Sequence, residues 1–189
     1  PRARPDRPGG ARLLHFVQAW REVTDDCHVL QTVESGVRIE FQEDLPPLAR
    51  DPLPFQGSQD QWESLRPHIE EMIEKGAVVR VKDDTLGFRS RIFLVPKKTG
   101  DLRPVINLKP LNFFIKREKF KMETQRGIRS AIKPGEYVVS IDMKDAFFHI
   151  PIDPSFQKYL LFQAGGHTFM FLALPFGLSV SLREFTRCV

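Results

Sequence analysis

The chain has 189 residues, room for one ordinary domain or two small ones. Its 41% hydrophobic and 28% charged residues sit near the globular average, which excludes wholesale disorder, and no apolar run approaches the ~20 residues that span a bilayer. Charge is uneven: residues 1–75 carry 9 Lys/Arg against 14 Asp/Glu, residues 76–133 carry 15 against 5, and residues 134–189 carry 4 against 5. A basic middle between mildly acidic ends suits a polyanion partner, and suits a merely solvated basic face as well.

Residues 1–10 are too polar and Pro/Gly-rich to bury a core and read as a lead-in. Leu13, Leu14, Phe16, Val17 and Trp20 form a short apolar patch. Thr24 or Asp25 is placed to cap a helix through Val29, Leu30 and Val33 that stops at Gly36. Residues 37–41 alternate apolar and polar, a strand signal, and residues 42–57, with four prolines, read as a linker. Ser58 and Gln61 have capping-box spacing ahead of an apolar stripe, Leu65, Ile69, Met72 and Ile73, ended by Gly76. Pro67 is expected at a kink or restart, because it lacks the N–H of a helix interior. Residues 77–81 predict a strand and 83–90 a polar loop.

A hairpin follows, with strands over 91–96 and 102–108 around a turn at 97–101. Residues 123–132 predict a helix interrupted by Gly127 and broken at residues 133–135. Residues 137–141, mostly apolar, predict a central buried strand ending at Asp142. Residues 159–162 and 168–173 predict a second hairpin around Gly165-Gly166, then a loop over 174–177 and a last helix from about Ser179.

A carboxylate leaving a buried strand suits Mg²⁺ chemistry, with Asp142 as hard oxygen ligand and the Met143 carbonyl as a second; Asp145 either joins it or caps the next turn. The plain alternative is that Asp142 only ends a strand. Lys97, Lys98 and Arg103 converge at the hairpin, either to bind phosphate or to solubilise a turn. Lys116, Arg117, Lys119 and Lys121 alternate with Phe113, Phe114, Ile115 and Phe120, a mixture that suits nucleic acid and suits a strand with a wet face. Phe147 and Phe148 read as core, or one of them as a floor beneath a sugar. His149 and His167 lack metal-ligand partners and read as structural. Cys27 and Cys188, far apart, argue against a disulfide scaffold or cysteine zinc site.

The order of these parts carries a resemblance. Ile92-Phe93-Leu94-Val95-Pro96-Lys97-Lys98, with Leu102-Arg103-Pro104-Val105-Ile106-Asn107-Leu108-Lys109-Pro110-Leu111-Asn112, resembles the fingers hairpin of a reverse transcriptase. Asp142-Met143-Lys144-Asp145-Ala146-Phe147-Phe148-His149-Ile150-Pro151 resembles its first catalytic motif, and Phe171-Leu172-Ala173-Leu174-Pro175-Phe176-Gly177-Leu178-Ser179 its template and nucleotide loop. The likeness covers roughly residues 60–189. Among retroelements it is most similar to DIRS-type elements, with Gypsy-type second; Phe16-x-x-x-Trp20 through Phe41 also resembles the DIRS-type region before the polymerase.

The resemblance implies an α+β right-hand polymerase fold, fingers plus incomplete palm over 58–189, behind a retroelement N-terminal region and Pro-rich linker over 1–57. It implies that Asp142 binds two catalytic Mg²⁺ ions with help from the Met143 carbonyl. Lys98 (or Lys97) and Arg103 would hold the triphosphate, with Asp145 near it. Phe147 would be the steric gate favouring dNTPs, and Phe176 would lie against nucleotide and template where some relatives carry Gln. Partners would be an RNA or DNA template with primer, dNTPs, and the rest of the palm, thumb and ribonuclease H of a parent polyprotein, with no membrane. The family's aromatic-x-Asp-Asp motif is absent, and Asp25-Asp26 and Asp83-Asp84 precede the first motif and cannot substitute. The expectation is therefore a fragment without polymerase activity of its own, or a non-catalytic nucleic-acid-binding remnant, in the cytosol or nucleus. Both ends are expected to be cuts, with no signal peptide near Pro1.

Overall fold

A computed structural model describes residues 9–51, 53, 58–96, 102–122, 124–133 and 135–188. The predicted hairpins form, and they meet in one sheet. Its strands are β1 (Val78–Val81), β2 (Arg89–Pro96), β3 (Leu102–Asn107), β4 (Leu161–Ala164) and β5 (His167–Phe171), in spatial order β1-β5-β4-β2-β3. In the two hairpin pairings Ile92 faces Ile106 and Phe162 faces Phe169. Gly165 and Gly166 turn between β4 and β5 with φ of 56° and 78°, backbone that side chains rarely adopt. A Cβ on Gly165 would also strike the Trp62 ring.

The seam between the hairpins is the parallel pair β2–β4, where Arg89 faces Leu161. The expected loop over 83–90 therefore ends early, because Arg89 and Ser90 join the sheet. Arg89 fixes this seam by donating to the carbonyls of Arg50, Asp83 and Thr85 and to the Thr168 hydroxyl.

The helices are α1 (Val17–Val23), α2 (Cys27–Ser35), α3 (Gln59–Glu74), α4 (Lys109–Phe114), α5 (Gln125–Ala131), α6 (Pro154–Gln157) and α7 (Ser181–Cys188). Both bonds of the Ser58/Gln61 capping box are present. α3 runs through Pro67 as one element; its buried Leu65, Ile69 and Met72 flank the proline and hold both halves on the sheet. The cap of α2 is Asp26, not Thr24 or Asp25: its carboxylate accepts from the N–H groups of His28 and Val29, while the Thr24 hydroxyl is used on the N–H of Asp26. α7 begins at Ser181, just after the expected Ser179. No helix among the described residues is long and apolar enough to cross a membrane.

Two expected strands do not form. Over residues 37–41 the alternation is real, with Val37 and Ile39 buried, but the ends bridge different segments: Val37 pairs with Ile152 and Phe41 with Ile115. No single neighbour supplies a continuous ladder. The predicted central strand over 137–141 is solvent-exposed irregular chain, with Tyr137 100% and Ile141 83% exposed. A buried strand needs neighbours for its N–H and C=O groups, and no described strand lies beside it. Residues 116–122 likewise form no strand. The predicted turn at 97–101 lies outside the described residues, as does part of the Pro-rich stretch.

Val29, Val33, Val37 and Ile39 share one apolar cluster with Leu65, Leu111 and Phe162. Asp153 pins this upstream chain to α6. Burial pushes its carboxyl up, but bonds from the Ser155 hydroxyl, the Arg38 guanidinium and the Ser155 N–H outweigh that and hold it below 3.8. The folded chain thus binds this proton more weakly than the unfolded chain. Its contribution is present above the unfolded carboxyl range and is lost as pH falls through the lowered value. Asp153→Asn is expected to flatten the acid side of a urea-midpoint-against-pH curve below about pH 4; an unchanged acid slope would contradict this.

Candidate active site

β2 and β3 stand over α3 and leave a cavity of about 590 Å³. Its walls are His68, Glu71 and Met72 of α3, Lys75 at its C-terminal cap, Ile92 of β2 and residues 102–106 of β3. Lys144, Asp145, Phe148, Phe171, Phe176 and Gly177 complete it. Apolar floor and charged rim follow from sheet alternation, since Ile92 and Ile106 turn inward while Arg103 is exposed.

The loop that carries Phe176 is held from α4. The Asn107 side-chain oxygen accepts from the Lys109 N–H, and Pro110 sits in the first turn, which starts the short helix. Asn112, one turn in, donates to the Gly177 carbonyl at 2.8 Å and accepts from the Ser179 N–H at 2.9 Å. Gly177 meets this geometry with φ of 90°. The Ser181 hydroxyl donates to the Pro175 carbonyl and closes the loop from the other side.

Asp145 opens a 3-10 turn, Ala146–His149, with φ of 54°. Its carboxylate lies 2.8 Å from the Lys75 ammonium, which also meets Glu71 at 2.6 Å. Burial lowers the Lys75 pKa, but the bonds to Asp145 and Glu71 outweigh it and the ammonium is held above its ordinary 10.5. The bond to Lys75 holds the Glu71 carboxyl below its ordinary value. Phe147 follows in the turn, its ring 4.7 Å from Phe176 and 5.5 Å from Phe185.

Of the residues singled out in the sequence, Arg103, Asp145, Phe148 and Phe176 line this one cavity, and Phe147 lies a ring away, packed on Phe176. Asp142 and Met143 lie on the exposed chain after residue 135, outside the lining. Lys97 and Lys98 lie outside the described residues. His149 meets the Lys144 carbonyl and His167 meets Arg80.

Among the described residues no three His, Cys, Asp or Glu side chains come together to hold a metal ion. Asp142 is a single exposed carboxylate and Asp145 is engaged by Lys75, so these residues do not fit a two-ion centre by themselves. Sequence reasoning missed Lys75 and the loop clamp of Asn112. The Glu71/Lys75 spacing was a readable helix pair, but nothing local announced Asp145 as its third member.

Comparison with known proteins bears on the family and the fold. A family model described as reverse transcriptase (RNA-dependent DNA polymerase) matches residues 95–189. The Tf2-7 and Tf2-3 transposon polyproteins of Schizosaccharomyces pombe are each 24% identical over 179 residues, which is 92% of this chain and 13% of theirs. The prototype foamy virus protease-reverse transcriptase superposes with a TM-score of 0.62 at 21% identity, over 81% of this chain and 20% of that one; its native form gives 0.61. The fold is accordingly a partial polymerase fold of mixed α+β type. The matched half of the chain holds β3, the 3-10 turn and the clamped loop that build the cavity, and the chain belongs to the reverse transcriptase (RNA-dependent DNA polymerase) family.

Proposed function

We propose that this chain is the fingers and first part of the palm of a retrotransposon RNA-directed DNA polymerase, and that its cavity receives the triphosphate of an incoming dNTP. The observation that carries this is the convergence of Arg103, Asp145 and Phe176 on one cavity in a chain of this family. Arg103 offers a two-donor grip on phosphate, Lys97 and Lys98 add charge close by in the sequence, and Phe147, packed on Phe176, is the steric gate beside the sugar. The complete enzyme joins a primer 3′-hydroxyl to the α-phosphate of the dNTP on an RNA or DNA template and releases pyrophosphate. Its divalent ions, Mg²⁺ by expectation, fall to Asp142 and the Met143 carbonyl together with carboxylates from further palm strands. The exposed apolar chain at 137–141 is where such strands would pair. Residues 1–57 form the element-specific region, and the upstream motif from Phe16 to Phe41 favours a DIRS-type element over a Gypsy-type one. The expected location is the cytosol or the nucleus.

The test is titration of the purified chain with dTTP and Mg²⁺. Arg103→Ala is expected to weaken binding about tenfold or more, the worth of one charge-assisted contact. Primer extension by the chain alone is expected to be nil; extension abolished by Asp142→Ala would overturn the view that the metal set is incomplete. No dTTP binding, with salt-sensitive RNA binding that fades on loss of Lys97, Lys98 and Arg103, would make the chain a non-catalytic binding remnant.

A further inference from the structure

We propose that Lys75 is a positioning residue for this pocket, holding the 3-10 turn that carries Phe147 and Phe148 in place through Asp145. The proposal rests on the nucleotide role given above. Three observations support it. Asp145 is one of two described non-glycine residues with positive φ, 54°, a conformation that L side chains rarely adopt and that persists where surroundings enforce it. An Asp at the head of a helical turn ordinarily bonds the backbone N–H groups that follow, yet Asp145 makes no such cap. Its carboxylate reaches instead across the cavity wall to Lys75 at the C-terminal cap of α3, at 2.8 Å.

Lys75 is itself fixed. Its side chain is 24% exposed and is braced by Glu71 one turn earlier at 2.6 Å. Its carbonyl accepts from the Gly10 N–H, and the next residue of that strap, Ala11, donates to the Phe148 carbonyl at 2.7 Å. Strap and ion pair thus tie the end of α3 to both ends of one turn. That turn sets where Phe147 meets Phe176, so a change at Lys75 reaches the pocket without Lys75 touching the reacting atoms.

Two readouts on the full chain test this. The first is amide hydrogen exchange at Phe148 and Ile150, whose N–H groups are bonded to the Asp145 and Phe147 carbonyls. The second is affinity for dTTP with Mg²⁺. Lys75→Met is expected to speed exchange at both amides about tenfold and to weaken dTTP several-fold. Lys75→Arg is expected to restore most of both. Adding Asp145→Asn to Lys75→Met should speed exchange little further, because both remove one contact. Arg66→Met, which removes a charge from the exposed face of α3, should change neither readout. Exchange within twofold of the unaltered chain in Lys75→Met, or an equal effect from Arg66→Met, would overturn the proposal. So would faster exchange with unchanged dTTP affinity. An unaltered chain that binds no dTTP would instead overturn the nucleotide role and the pocket role resting on it, while exchange still decides whether Lys75 holds the turn.

Discussion

Replacing Phe162 by Ala is expected to destabilise the chain by about 3–5 kcal/mol, the range for a large aromatic removed from a core that cannot collapse. Phe162 has no exposed surface and sits at the middle of β4. It faces Ser90 across the parallel seam and Phe169 across the hairpin, so both sheet partners are fixed. Its ring stacks on Phe169 at 5.3 Å and meets Phe171 at 5.2 Å. Neither neighbour can fill the hole without leaving its own ladder position. Phe171 also lines the cavity, so the void would open directly beneath the proposed nucleotide site. A loss of that size is a large share of the ~5–15 kcal/mol that keeps an ordinary domain folded. Urea unfolding followed by Trp20 and Trp62 fluorescence measures it, and Phe162→Leu should cost roughly half as much. A loss below about 1 kcal/mol for the Ala variant would show that the ring is not packed as described.

What could be read in advance divides by range. The Ser58/Gln61 cap, the hairpin of 91–96 with 102–108 and the Gly165-Gly166 turn are set by neighbours within a few residues, and all three form, the first strand starting two residues early at Arg89. The parallel seam at Arg89 was not legible, because a parallel pair is made by chain far away in sequence and leaves no turn signal. Residues 137–141 show the converse error. An apolar run states what a strand could bury, not whether a neighbour exists to bury it. The site divides in the same way. Arg103 was picked out by the charge of the hairpin, Asp145 by its spacing from Asp142 and Phe176 by the family motif, and the fold brings them to one cavity. Lys75 was invisible because its meaning lies in a partner on another element.

Arg183→Met is the second large loss expected, about 2–4 kcal/mol. Glu184 is 2% exposed on α7, a poor place for a carboxylate unless it is fully paired. Arg183 meets its Oε1 at 2.8 Å, and His28 of α2 meets its Oε2 at 2.7 Å. The same guanidinium reaches Glu118, so one side chain serves a buried acid and a half-buried one. Methionine would keep the bulk and remove the donors, leaving Glu184 to His28 alone and Glu118 without its guanidinium. The energy is that of stranding a buried charge rather than the net worth of the pair, and this makes a separable expectation. Adding Glu184→Leu to Arg183→Met should recover most of the loss, because the stranded carboxylate is gone and α7 keeps an apolar contact. A double variant no more stable than Arg183→Met would mean that side-chain packing, not charge burial, sets the cost. The effect also bears on the site. Phe185 follows directly on α7 and backs Phe147 at 5.5 Å, so a loosened α7 should weaken dTTP binding by a smaller factor than Arg103→Ala does. Stability falling while dTTP affinity holds would confine this network to the fold and leave the Phe147 support to Phe176.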